Sequence, residues 1–494
     1  MKELGKWQFI SFISRGMAMA LGLIQTFVII RILSVSDWGI VQIASSIGGA
    51  LGIYQHLGLA SASTREISAA KDDSDVFKVF ITSAVIRYVI SIPVAFVLFF
   101  FAHFIAVTMY KSDLLVLPLK IYAVTLIFQG FQSILNSVIQ GTKRFGQLFI
   151  YQVVIAFVSV IVYVPLILLY KINGYFYALL AFNIICSVSL AVIAFKPLKG
   201  KLQLPNKRDF TRLFKEIFSI SMAIYLVKVI YTNWEKMGNN ILGLFNTPAT
   251  VAIFAFAMLY AKKLMSISDA ATDVSLPVFS EKYVNDIEDF KVSFAKNFDK
   301  LFCIVLFVGA FASFWAREIA KILVGSSKYD ASFPLVAPMI MAFIFYSYIN
   351  VIKSSVLIPA KMIRDMIITF GLMIVGTGGF FYVTSRLIPV LPELSAMAWG
   401  AAFGSLIALA YMLIMISRTI KLTFFNIDHV VLIMEGFAIS LIVTVDNFWL
   451  KFVTFPIFVA LMLWSFYISS FVTKDDFVYL VNKVKVLKKR FGFK

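Results

Sequence analysis

Apolar residues in this chain come in long unbroken runs, rich in Ile, Val, Leu and Phe, that recur from the first residues to about position 472 and are divided by short clusters of charge. Period-two alternation, the mark of barrel strands, does not organise them, so the runs predict helices. Many exceed the roughly 20 residues that a helix needs to cross a hydrocarbon core. Breaking the runs at the charge clusters predicts about fourteen spans. Their cores are 9–33, 39–60, 79–108, 114–140, 147–170, 174–195, 216–244, 249–278, 297–324, 334–358, 366–388, 394–417, 429–445 and 449–472. The expected fold is an all-α polytopic membrane protein.

Polar positions interrupt several of these spans at helical spacing. Lys262, Ser266, Asp269 and Asp273 follow one another by four, three and four residues, as do Lys228, Thr232, Glu235 and Asn239. On a helix with 3.6 residues per turn each set forms one face. Arg15 with Ser11, Gly22 and Thr26, Arg87 with Ser83 and Ser91, and Tyr346 with Asn350 and Lys353 repeat the pattern. So do Gln42, Ser46, Gly49 and His56, and the run Gln129, Gln132, Asn136 and Gln140. Stripes of this kind are expected to face one another or water, because a charge at mid-membrane costs at least about 2.5–3.5 kcal/mol in lipid.

Every second predicted loop is basic. Lys2 and Lys6, Arg65 to Lys78, Lys143 and Arg144, Lys196 to Lys215, Lys282 to Lys296, Lys361 and Arg364, Arg418 and Lys421, and the tail "NKVKVLKKRFGFK" lie on one side, while the alternate loops are nearly bare. The positive-inside rule then places both termini in the cytoplasm and the chain in the cytoplasmic membrane as a multi-pass protein, which requires an even number of spans; fourteen fits, and twelve would also fit. The basic stretch 196–215 divides two six-span blocks. The expected organisation is a six-helix lobe over 1–195, the linker 196–215, a second lobe over 216–420, a helix pair over 421–473 and a basic cytoplasmic tail over 474–494. "LPLKIYAVTLIFQGFQSILNSVIQGTKR" and "FPLVAPMIMAFIFYSYINVIKSSVLIPAK" share a Pro-Leu start, an aromatic middle and a basic end. Such a pair is the signature of a parallel repeat, and it makes the two lobes pseudo-symmetric.

Composition agrees: 61% of the 494 residues are hydrophobic and 14% charged, far from the balance of a soluble domain. The net charge of +19 is spread over short loops rather than gathered in a patch with interleaved aromatics, so no nucleic-acid partner is expected. Cys186 and Cys303 both fall in apolar runs and signal neither a disulfide nor a metal, and no cofactor is expected. The N-terminal basic-then-apolar run has no cleavage site of small residues and reads as a retained first span.

The charges on the striped spans are mostly positive. Arg15, Arg87, Lys228, Lys236, Lys262, Lys263 and Lys353 stand against Glu235, Asp269 and Asp273 as coupling or pairing groups. An excess of cations in a low-dielectric cleft between the blocks implies an anionic cargo, with phosphate or pyrophosphate the natural chemistry. A structural reading stands beside it, in which Lys262 or Lys263 snorkels or pairs with Asp269 and the aspartates lie at the interface. Gly48 with Gly52 and Gly400 with Gly404 read as close helix packing.

The segments "RILSVSDWGIVQIASSI", "LGLASASTREISA", "ILNSVIQGTKRF", "ILGLFNTPATVAIFAFA" and "KILVGSSKYDAS", in this order over roughly the first 420 residues, carry a resemblance. The chain resembles the polysaccharide transporters, or O-antigen-type flippases, of the multidrug/oligosaccharidyl-lipid/polysaccharide exporter superfamily. The resemblance implies a V-shaped pair of six-helix lobes, a cationic central cavity and alternating access by rocking. It also implies a lipid-diphosphate-linked oligosaccharide as cargo, moved from the cytoplasmic to the outer leaflet among membrane lipids, with polymerase or ligase machinery as a further partner. Family members often carry an acid about five positions before the glycine of span seven. Here Gly238 holds that position before Gly243, with Lys236 and Asn239 beside it, a departure that removes the carboxylate from the place where it would couple transport to a cation.

Two other classes compete. A membrane enzyme of polysaccharide synthesis needs an outer loop able to build a catalytic surface, and the predicted outer loops are short; no carboxylate pair, nucleophile-base set, metal-ligand spacing or P-loop appears. A multidrug antiporter of the same superfamily calls for an acidic, aromatic cavity, the reverse of the excess seen here.

Overall fold

A computed structural model of the protein describes Met17 and residues 20–55, 59–70, 72–198 and 203–473. Arg15, His56, the N-terminal Lys2 and Lys6, part of the 196–215 stretch and the tail from 474 lie outside the described residues, as does the side chain of Asp273. Among the described residues every regular element is helical.

The helices are α1 (Ala20–Ile32), α2 (Val35–Gly52), α3 (Leu59–Ala69), α4 (Asp73–His103), α5 (Val116–Gly141), α6 (Phe145–Phe195), α7 (Lys207–Phe245) and α8 (Pro248–Lys262). They continue with α9 (Met265–Asn285), α10 (Ile287–Phe314), α11 (Ala316–Val324), α12 (Phe333–Ile352), α13 (Ile363–Tyr382), α14 (Glu393–Ile420), α15 (Ile427–Ser440) and α16 (Phe448–Ile468). Short polar side chains start many of them. Ser34, Asp72, Asn206, Asp286, Asn426 and Asn447 each accept a backbone N–H from the first turn of the helix that follows, satisfying donors that a helix start leaves open.

Among the described residues ten helical segments are long and apolar enough to cross a membrane. One of them, Gly146–Phe195, is 50 residues long and would measure about 75 Å if straight. It doubles back at Lys171, whose φ of 52° and ψ of −128° are not helical. The Tyr163 and Tyr175 rings come within 5.4 Å as a result, and Gly174 sits against the Leu166 carbonyl. Spans five and six are thus the two arms of α6. Predicted spans two and seven fall on α2 and α7, whose polar positions keep them out of the apolar set, and the described part of predicted span one is the shorter apolar helix α1.

Some boundaries differ from the sequence reading. Predicted span eight is two helices: α8 ends at Lys262, and Lys263→Tyr260, Leu264→Ala261, Ser266→Lys263 and Ile267→Leu264 backbone bonds form a tight three-residue turn before α9. Lys262 therefore does not share one continuous helical register with Ser266, Asp269 and Asp273. Predicted span nine likewise breaks at Trp315 into α10 and α11. The segment 59–69, read as a loop, is the helix α3, whose small residues pack on α4, α5 and α7.

The chain forms two compact units. One holds residues 1–255 with 323–328, and the other holds 256–322 with 329–494. The packing divides later than the basic stretch 196–215, because α7 lies against α2, α3 and α4. In the first unit, Ile134, Leu135, Val138 and Ile139 of α5 are buried together with Val79, Phe80 and Ile86 of α4. Gly48 of α2 makes room for the Tyr122 ring, which an added Cβ would meet at 2.5 Å. The Lys328 ammonium, on the 323–328 loop, donates to the carbonyls of Ile30, at 2.6 Å, and Leu33, at 2.9 Å, closing the C-terminal end of α1.

In the second unit α10 carries Phe290, Phe294, Phe298 and Phe302 at intervals of four, all buried, and this ladder stacks on Tyr348, Phe424 and His429. Gly404 lets α14 approach α13 until an added Cβ would lie 2.5 Å from the Met373 carbonyl. The buried Lys451 of α16 donates to Glu318 at 3.0 Å and to the Phe314 carbonyl at 3.2 Å, tying the last helix to α10 and α11.

Candidate functional site

The first unit places Arg87, Lys228 and Lys236 around α7. Arg87 lies in the middle of α4, one turn from Ser83 and one turn from Ser91, and all three are buried. Ser83 bonds Ser63 of α3 across the packing at 2.7 Å. The guanidinium itself is fully buried, yet its Nε, Nη1 and Nη2 have no hydrogen-bond partner among the described residues. Desolvating a cation without pairing it costs several kcal/mol, so this arrangement is an expensive one for the resting protein. Lys228 of α7 is exposed and within electrostatic reach of Arg87. Tyr225, one turn before it, anchors α7 by donating to the Tyr54 carbonyl at 3.1 Å.

Further along α7 the polar face meets the polar face of α2. Lys236 pairs with Glu235 at 3.0 Å. Its Cε would lie 3.1 Å from a Cβ on Gly49, so the glycine is what admits the lysine stem. Asn239 donates to Ser46 at 3.0 Å. Glu235 and Asn239 are buried by this contact. Lys236 is therefore half-neutralised where it stands, unlike Arg87.

The second unit gathers Lys353, Asn350, Asp269 and Ser268. Lys353 opens a wide π-type turn, Lys353–Leu357, at the end of α12. Its ammonium donates to Asn350 Oδ1 at 2.6 Å, and Asn350 Nδ2 in turn donates to Asp269 Oδ1 at 2.9 Å and to Ser268 Oγ at 3.2 Å. The amide thus carries the cation and the carboxylate on opposite ends. Lys262 and Lys263 sit half-buried at the tight turn between α8 and α9. Among the described residues no group of His, Cys, Asp and Glu could hold a metal, and both cysteines are buried and free.

Two contributors escaped the sequence reading, Ser63 and Ser268. Ser63 belongs to the helix that was read as a loop, and its signal was the alternation of small and apolar residues over 59–69. Ser268 stands one residue from the striped Asp269 and enters because the tight turn rotates α9.

Outside the spans, Asp446 accepts from Lys321 at 3.2 Å and faces Arg317 and Lys451, which together hold its carboxyl below the ordinary range. That cluster fastens α16 and has no open cation.

Comparison with known proteins places this geometry. A family described as polysaccharide biosynthesis protein matches residues 28–334. No curated protein matches by sequence. Among solved structures, the lipid II flippase MurJ in an inward closed conformation aligns with a TM-score of 0.68 at 15% identity, covering 96% of this chain and 99% of its own. An inward-facing multidrug resistance MATE family transporter of the MOP superfamily aligns at 0.65 and 14% identity, covering 82% of this chain and 94% of its own. A MOP superfamily transporter from Pyrococcus furiosus, whose binding pocket is described as reversed in polarity, aligns at 0.53 and 15% identity, covering 84% and 95%. At these identities the likeness is one of fold.

Proposed function

The chain belongs to the polysaccharide biosynthesis protein family, and from that premise we propose that it is a flippase carrying a lipid-diphosphate-linked oligosaccharide, of polysaccharide or O-antigen-repeat type, across the cytoplasmic membrane by alternating access. The observation that carries the reading is Arg87: a fully buried guanidinium whose three nitrogens have no partner among the described residues. A guanidinium fork matches phosphate oxygens in geometry and charge, and a diphosphate headgroup is the anion that a lipid-linked sugar would bring to it. Lys228, Lys262, Lys263 and Lys353 add cations along the route, while Arg15 stands in the same set by sequence.

A drug antiporter shares the fold, and charge separates the two readings. Two of the acids on the striped spans are engaged, Glu235 by Lys236 and Asp269 by Asn350. The proposal includes both termini on the cytoplasmic side, as the loop charges favour, and polymerase or ligase machinery as the consumer of the flipped lipid. Its test is reconstitution of the purified protein into liposomes with an isoprenoid-diphosphate oligosaccharide. Transbilayer movement above that of protein-free liposomes is expected. Equal movement, or selective transport of a lipophilic cation, would overturn it.

A further inference from the structure

The two arms of α6 leave a groove between them, about 480 Å³ in volume, that the cargo reading does not use. Ile150 and Val154 on the first arm and Ile185 and Val192 on the second line it, one face from each helix, and between 37% and 68% of each side chain is exposed. At membrane depth that exposure is to lipid, not water. The groove is not apolar throughout. Lys196 and Gln147 stand at its open end, with Tyr151 one turn deeper and Ser189 two turns deeper. From Gln147 to Val158 it runs about 16 Å along the helix, the depth of half a hydrocarbon core.

The base of the hairpin adds charge of the same sign. Arg144 donates to the carbonyls of Ile193, at 2.7 Å, and Ala194, at 3.1 Å, which locks the start of the first arm to the end of the second. No acidic residue lines the groove. With Lys196 and Gln147 at its mouth and Ile150, Val154, Ile185 and Val192 along its walls, the groove offers a polar end and an aliphatic length, the complement of one leaflet lipid seen from headgroup to tail.

We propose that this groove is a binding site for an anionic phospholipid of the leaflet onto which the 142–144 and 196–198 turns open, its phosphate on Lys196 and one acyl chain along the Val154 wall. A neighbouring apolar helix could cover the aliphatics, but it would strand Lys196 without a counter-charge. The site is separate from Arg87 and independent of what the protein carries.

The test is native mass spectrometry of the purified full chain titrated with phosphatidylglycerol or phosphatidylcholine of the same acyl composition. Phosphatidylglycerol should bind about fivefold tighter, the worth of one lysine at a headgroup. Lys196→Gln should erase that preference, weakening phosphatidylglycerol more than phosphatidylcholine. Val154→Trp should fill the groove and weaken both lipids by at least about fivefold, on the same scale. Should Val154→Trp not fold, Ile150→Trp supplies the same obstruction at a more exposed position. Wild-type lipid affinities in a folded groove-filling variant, preference retained by Lys196→Gln, or a dimer of the chain that excludes lipid would each overturn the assignment.

Discussion

Arg87→Met separates a cation kept for cargo from one kept for structure. In the resting protein the guanidinium is buried, with no acceptor among the described residues for any of its three nitrogens. Methionine fills a similar volume without a charge to desolvate, so the cargo-free protein should gain stability, by about 1–4 kcal/mol on the scale of buried ionic groups replaced by hydrophobic ones. Cargo binding moves the other way. Losing charge-assisted bonds to a desolvated phosphate costs about 2–5 kcal/mol, which is roughly thirtyfold to several-thousandfold in affinity. Arg87→Lys keeps the charge and loses the fork, and should fall between. Thermal unfolding in detergent, with and without an isoprenoid-diphosphate oligosaccharide, reads both effects. The variant should show a higher Tm alone and no further rise with ligand. A lower Tm alone, with the ligand-induced rise intact, would refute the reasoning and make Arg87 a structural residue.

Lys353→Gln should retain the fold and lose most flipping in liposomes, since Asn350 can rotate to bond a neutral amide but a neutral amide cannot balance a phosphate; full activity would remove Lys353 from the route. Asn350→Ala strands both Lys353 and Asp269 and should lower stability by about 1–3 kcal/mol, read as a fall in Tm. Lys451→Met leaves Glu318 buried beside an apolar side chain and should cost about 3–5 kcal/mol; adding Glu318→Gln should restore much of it, and strictly additive losses would deny the pairing. Lys328→Met uncovers the Ile30 and Leu33 carbonyls and should cost about 1–3 kcal/mol, measured by denaturant unfolding, with no change expected in binding.

Apolar run length located the helices long enough to cross a membrane, because burial in lipid demands the same thing of each residue in a stretch, and that demand is local. What was not legible depends on chain reversal and on neighbours. Lys171 turns α6 back on itself, and Lys111, Lys143, Lys361 and Lys421 also take positive φ at turns, all between 50° and 57°. Lysine is a rare choice for the left-handed region, so the reversing residue carried no turn signal of its own, although Asn173 and Gly174 follow Lys171 closely. The break between α8 and α9 was equally silent: nothing in "YAKKLMSISD" departs from helix propensity, and the tight turn there rotates Ser268 inward and takes Lys262 out of the expected stripe.

The limit shows most sharply in the contrast between Lys236 and Arg87. Both are basic residues with small or polar neighbours at helical spacing, and the sequence treats them alike as candidate cargo ligands. Lys236 finds a carboxylate on the adjacent residue, at 3.0 Å, because α2 presents Gly49 where a side chain would have pushed the lysine away. Arg87 is surrounded by α3, α5 and α7, and the polar groups nearest along its own face, Ser83 and Ser91, do not bond it; Ser83 is taken by Ser63. Spacing fixes which face a charge occupies, but whether the charge is satisfied is decided by what three other helices place opposite it. A stripe of cations is therefore a list of candidates, and only the packing around each one separates its members.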